Sequence, residues 1–229
     1  MAAHLLNRAG FGGSSVEIKR LHSLGHVAAV DRLLSAGEDL DLYPVPPLST
    51  PAENAMARRE SKKLDPQEQM QRKKMAKQAE REQIDELRFW WLQRMRSTPN
   101  PVREKAVLFW HGHWATSQMK VKAPYLIWQQ NETLRARALG NFTPFAKEIT
   151  RDAAMIRYLD LHTSTARSPN ENFARELMEL FTLGEGNYTE MDIREAARAF
   201  AGYRTNSATG KFQLAGKLVD NGNKKFFTR

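Results

Sequence analysis

Ile84-Asp85-Glu86-Leu87-Arg88-Phe89-Trp90-Trp91-Leu92-Gln93-Arg94-Met95 is the stretch that decides the fold class. Ile84, Leu87, Trp91 and Met95 recur at intervals of three and four, which places them on one face of an α-helix. The periodic run is the second half of a helix expected from about Asp65 to Ser97. The first half of that helix is polar nearly all round, as expected of an exposed or mobile segment. Towards the C-terminus, Asn100-Pro101 opens a new helix with proline at its favoured first turn. This helix carries Val107, Leu108 and Trp110 into His111-Gly112-His113. Further helices are expected at Pro124–Leu139, Pro144–Thr150, Asp152–Leu159, Pro169–Leu183 and Thr189–Tyr203. The last opens on a capping-box-like Thr189-Glu190-Met191-Asp192, and Gly184 stands where a helix-terminating glycine belongs. Towards the N-terminus, residues 1–36 read as two short helices. One is capped by Ser14 or Ser15 and carries Val16, Ile18, Leu21 and Leu24; the other runs from His26 to Leu34 beyond a break at Gly25. Asp39–Pro51 holds four prolines and reads as an irregular linker. No alternation characteristic of a strand precedes residue 210. The tail, Lys211–Arg229, is expected to hold a short strand or hairpin turning at Asp220-Asn221-Gly222-Asn223. The expected fold is all-α: one multi-helix globular domain over residues 1–229, with a charged, flexible insertion at 37–80.

Composition narrows the function classes. The 229 residues are 41% hydrophobic and include eleven Phe, five Trp and five Tyr, enough to anchor a core. Cysteine is absent, so disulfide and thiolate chemistry are excluded, and both cytoplasmic and disulfide-free periplasmic settings are compatible. No apolar run approaches the length of a membrane span, and the N-terminus lacks the apolar core of a signal peptide. The net charge of +9 raises the question of nucleic acid. Yet Arg58, Arg59, Lys62, Lys63, Arg72, Lys73, Lys74, Lys77 and Arg81 alternate with Glu60, Asp65, Glu68, Glu80 and Glu82. Mixed signs at helical spacing describe a solvated helix face and argue against nucleic acid. Sequence signatures of serine hydrolases, phosphate-binding loops, dinucleotide folds and His-Glu-x-x-His metalloproteases are all missing.

Two of the six histidines lie in Trp110-His111-Gly112-His113-Trp114. A His-x-His pair serves as metal ligands, proton carriers or an anion site, or it fills a polar gap in a core. Glu104, Leu108 and His111 share a helix face, so Glu104 is placed to orient His111. His113 lies about 200° further round a continuous helix, and the two imidazoles reach one ion only if the helix breaks near Gly112. The second constellation is Asn170-Glu171-Asn172-Phe173-Ala174-Arg175-Glu176. Glu171 or Glu176 would meet the histidines and supply a carboxylate ligand or base, with His111, His113 and Glu176 as the metal set. The bland alternative is a Glu171–Arg175 surface pair and a histidine bonded to a backbone carbonyl or a glutamate. Lys120, Asn170 and Asn172 are weaker candidates for holding a ligand, Lys120 through an anionic group. Trp110, Trp114 and Trp128 suit either sugar stacking or the core.

Six ordered blocks add a resemblance. They are His4-Leu5-Leu6-Asn7-Arg8-Ala9-Gly10-Phe11-Gly12; Glu104-Lys105 with Leu108-Phe109-Trp110-His111-Gly112-His113; Gly140-Asn141-Phe142; Arg151-Asp152-Ala153-Ala154-Met155 with Tyr158-Leu159-Asp160; Pro169 to Leu177; and Leu180 to Thr189. In this order the chain resembles the bacterial family called domain of unknown function 1800, outside the 37–80 insertion. The resemblance implies a longer protein with a further C-terminal part. It also implies export or a periplasmic setting, and extracytoplasmic work on a polymer or beside a sulfatase-like neighbour protein. The segment Leu161-His162-Thr163-Ser164-Thr165 departs from the family pattern. Two functional expectations follow. One is a hydrolytic or oxidative enzyme, with Glu104, His111, His113, Glu171 and Glu176 as catalytic candidates and a divalent metal as a possible cofactor. The alternative is a non-catalytic helical binding or scaffold module with a buried His/Glu/Asn network.

Overall fold

The computed structural model describes residues 1–35 and 42–227 and is helical throughout most of that length. The N-terminal unit has three helices, α1 (Ala2–Ala9), α2 (Ser15–Ser23) and α3 (His26–Leu34). Only the latter two are expected from the pattern. The unexpected α1 takes the buried side of the unit through Ala2 and Leu6, against Leu21, Ala29 and Leu33. Nine-residue helices then have one face to bury, so Val16, Leu24, Val27 and Leu34 remain exposed.

The start of the expected proline-rich linker, Asp39–Asp41, lies outside the described residues. From Tyr43 to Thr50 the chain is irregular but strapped to the next long helix. Trp90 Nε1 donates to the Tyr43 carbonyl (3.0 Å), and Ser49 N donates to Gln83 Oε1 (3.1 Å). Inside the charged insertion stands a further helix, α4 (Pro51–Ser61), closed by a capping box between Thr50 and Glu53. Then comes α5 (Pro66–Ser97), capped by Asp65. Its N-terminal half is exposed, as its polar composition predicts. Its C-terminal half buries Ile84, Leu87 and Trp90. At the position where Met95 is expected to dominate, Arg94 is the buried side chain and Met95 is only partly covered.

The body follows as α6 (Pro101–His113), α7 (Gln118–Val121), α8 (Pro124–Arg137), α9 (Phe142–Ile149), α10 (Ala153–Tyr158) and α11 (Glu171–Glu176). A single π-helical stretch, Leu177–Thr182, continues α11, and α12 (Glu190–Ala199) follows. The expected capping box opens α12: Asp192 N donates to Thr189 Oγ1, and Asp192 Oδ2 accepts from Thr189 N. Gly184 ends the π-helical stretch at φ +80°, its N–H donating to the Met178 carbonyl. The main core joins Val107, Trp114, Leu134, Phe145, Ile149, Met155, Ile156, Leu161, Phe173 and Phe181. Each such fully buried large side chain contributes about 1.5–3 kcal/mol.

The hairpin is real but displaced. Strand β1 (Tyr203–Thr205) pairs antiparallel with β2 (Phe212–Leu214), Tyr203 opposite Leu214. The turn is made by Asn206, whose side-chain oxygen accepts from Ala208 N and Thr209 N. Asp220, expected at the turn, instead holds Arg198 (2.8 Å) and so ties the tail to α12. Gly202, at φ +85°, begins the hairpin where any Cβ would lie 3.0 Å from the Ala215 carbonyl. Thr228 and Arg229 lie outside the described residues. No helix among the described residues is long and apolar enough to cross a membrane.

Candidate functional site

Glu104 sits where α5, α6 and α8 meet and is fully buried. A carboxylate removed from water costs several kcal/mol unless it is paired and its lone pairs are filled. Here they are filled. Oε1 accepts from Arg94 Nε (3.0 Å) and Arg135 Nε (2.5 Å). Oε2 accepts from Trp91 Nε1 (3.1 Å) and Arg135 Nη2 (3.2 Å). Arg135 also donates to Asn131 Oδ1 (2.6 Å) and Glu132 Oε1 (2.5 Å), both on its own helix. The guanidinium groups of Arg94 and Arg135 lie over the Trp90 ring, at 5.8 and 5.4 Å, which suits the weakly hydrated, planar arginine head. All of this is held by regular helix: Trp91 and Arg94 are one turn apart on α5, and Asn131 and Arg135 one turn apart on α8.

The histidines do not join this carboxylate. Helix α6 runs unbroken through Gly112 to His113, with Trp114 as its C-cap, so the break that would let both imidazoles face one ion does not occur. Gly112 is exposed, and an added Cβ there would meet nothing. Its flexibility is outweighed by the packing of Trp114 and Val107 on either side of it. His111 lies against Trp91, ring centroids 4.9 Å apart, and burial pulls its pKa below the ordinary imidazole value. Trp91 thus stands between His111 and Glu104, its indole N–H already given to the carboxylate, and Glu104 does not orient His111 by a hydrogen bond. His113 turns to the other side of the helix. Its Nε2 lies 3.0 Å from the Phe181 carbonyl in the π-helical stretch, and Phe109, Trp110, Trp114 and Phe181 surround the ring. The His segment therefore meets the π-helical stretch beyond Asn170–Glu176 through a backbone carbonyl, and not Glu176.

The remaining candidates disperse. Glu171 is exposed and 3.9 Å from Arg194, not paired with Arg175. Arg175 forks onto Glu190 with two bonds of 2.8 Å. Glu176 is half-buried and enters none of the hydrogen bonds or ion pairs found among the described residues. Asn170 serves the fold: Oδ1 caps α11 at Phe173 N, and Nδ2 donates to the Leu159 carbonyl (2.9 Å). Asn172 is exposed. Lys120 pairs with Asp160 (2.7 Å) at the surface, where such a pair contributes little. Among the described residues, no three His, Asp or Glu side chains converge in a group able to hold a metal ion. The metal set His111, His113 and Glu176 is therefore not assembled, because two of its members diverge around a continuous helix.

A second buried carboxylate was not anticipated. Asp152 caps α10, its Oδ1 accepting from Met155 N (2.8 Å) and from Gln130 Nε2 (2.9 Å). Gln130 Oε1 in turn accepts from Thr116 Oγ1 (2.6 Å). Burial pushes the Asp152 pKa up to about 7 against the pull of these bonds, and the nearby Glu148 charge pushes the same way.

Arg94, Arg135, Asn131, Gln130 and Asp152 are the residues that pattern reading missed. The signal for Arg94 is a charge lying one turn beyond Trp90 on the apolar stripe of α5. For Asn131 and Arg135 it is a four-residue interval flanking Leu134, itself fully buried. No curated protein and no solved structure matches the chain. A family model described as Protein of unknown function (DUF1800) matches residues 4–229, from the first block of the N-terminal unit to the end of the chain. The chain belongs to that family.

Proposed function

We propose that this chain is a non-catalytic helical binding or scaffold module, organised around the buried Glu104–Arg94–Arg135–Asn131 network. The observation that carries the reading is the complete engagement of Glu104 by two guanidinium groups and an indole. A general base or metal ligand needs a free lone pair facing a cavity. The commitment of His113 to the Phe181 carbonyl supports the same reading. The partner suggested by the resemblance is an extracytoplasmic polymer or a sulfatase-like neighbour protein, met at the exposed surface and not at the network.

Elemental analysis of the purified protein, with the His111→Ala/His113→Ala variant beside it, tests this reading. The expected result is no stoichiometric divalent metal in either sample. Stoichiometric metal in the parent that disappears in the variant would overturn it and support the His/carboxylate enzyme in its place.

A further inference from the structure

On α6, Glu104 and His111 face inwards; at roughly 100° per residue, Val102, Ala106 and Phe109 lie about half a turn away and Lys105 about a third of a turn. On that other side is an open groove of about 600 Å³ between α1, α6 and the end of α8. Its wall is apolar: Val102, Leu108, Phe109 and Trp110 line it, and Phe109 is 63% exposed. Exposed Leu139 and Phe142 lie close by in sequence, the Phe142 ring 6.0 Å from Trp110. Trp110 Nε1 is already given to the Ala138 carbonyl (2.9 Å), so its ring offers the groove only apolar surface. The polar members of the lining are two cations, Arg8 and Lys105, with no carboxylate among them. Among the described residues neither takes part in an ion pair, and Lys105 Nζ rests 5.1 Å above the Phe11 ring. An apolar trough with unspent positive charge at its edge is complementary to an amphiphile with an anionic head.

We propose that this groove binds a single-chain acyl carboxylate, its hydrocarbon tail along Leu108, Phe109 and Trp110 and its carboxylate at Arg8 and Lys105. The proposal does not depend on the module reading, since no residue lining the groove belongs to the Glu104 network. Loss of one leaves the other standing.

Decanoate, kept below its micelle concentration, is titrated into the full chain and followed by calorimetry and tryptophan fluorescence. The expected result is one saturable site, bound about twofold more weakly for each methylene removed from the chain, since an open groove covers roughly half of each one. Uncharged decanol and the Arg8→Gln/Lys105→Gln variant each bind about tenfold or more weakly, the scale of a lost charged hydrogen bond. Phe109→Ser weakens decanoate about tenfold. Circular dichroism accompanies both variants; should Phe109→Ser unfold, the double glutamine variant, altered only at cationic side chains, decides the matter. No saturable binding, equal affinity for decanol, or unchanged affinity in the double glutamine variant overturns the proposal. Binding to anionic vesicles without binding to monomeric decanoate also overturns it, in favour of a membrane-docking face.

Discussion

Glu104 and Asp152 are both carboxylates in the interior, and the fold handles them in opposite ways. Glu104 is met by the opposite charges of Arg94 and Arg135, at 3.0 and 2.5 Å. Among the described residues Asp152 is met by dipoles: the Gln130 amide and the backbone N–H groups at the start of α10. Charge against charge recovers much of the desolvation cost of the ionised form. Dipoles recover less, and the proton is the remaining way to remove the charge, so Asp152 titrates near neutrality. One interior carboxylate is therefore held between two guanidinium groups, and the other has its pKa pushed up to about 7.

The largest effect expected from breaking this contrast is Glu104→Gln. It leaves two buried guanidinium groups without their anion and should cost about 3–5 kcal/mol in urea unfolding. A cost below about 1 kcal/mol would show that the network does not bear on stability. Next is pH. Folded Asp152 holds its proton to about pH 7, whereas an unfolded aspartate releases it near 3.8. Between those values the folded state binds more protons, so this group's stabilisation is full in acid and is lost as pH rises, by up to roughly 4 kcal/mol. Asp152→Asn keeps the cap acceptor and should gain on the parent protein between pH 5 and pH 8. A constant difference across that range refutes the assignment. His111 has the opposite sign: burial lowers its pKa, so its contribution is present above 6.5 and fades as pH falls below that value. His111→Phe should therefore flatten the acid side of the stability profile and leave the alkaline side unchanged.

His113→Phe is expected to be milder. It retains the aromatic packing and loses one bond to the Phe181 carbonyl, about 1 kcal/mol. Hydrogen exchange should quicken locally at 177–182. At the small end, Arg175→Ala removes a well-formed but exposed fork onto Glu190 and should leave the melting temperature within error.

Much of the framework was legible along the chain. The long helix of Ile84–Met95, the proline-opened α6, the capped α12 and the glycine stop at Gly184 each rest on rules spanning a few residues. The departures have local causes too. Helix α1 is too short for a periodic signature, and α4 was hidden by the charges around it. The hairpin shifted because Asn206 offered a better turn than Asp220, which Arg198 had engaged. The candidate site was less legible. Glu104 and the histidines were rightly singled out as lying on one helix, but their partners come from α5, α8 and the π-helical stretch.

What the sequence determined by itself is therefore the all-helical class, most helix boundaries, the family and the residues of α6 that carry polar chemistry. Periodicity, caps and ordered motifs operate over short distances along the chain, so they survive without a three-dimensional context. Only the tertiary structure decided which charges meet. Glu104 finds Arg135 thirty-one residues away, His113 finds Phe181 sixty-eight residues away, and Asp152 finds no cation among the described residues. Ion pairing depends on ångström-scale distance and on exclusion of water, and both are set by how helices pack, not by their spacing in the chain.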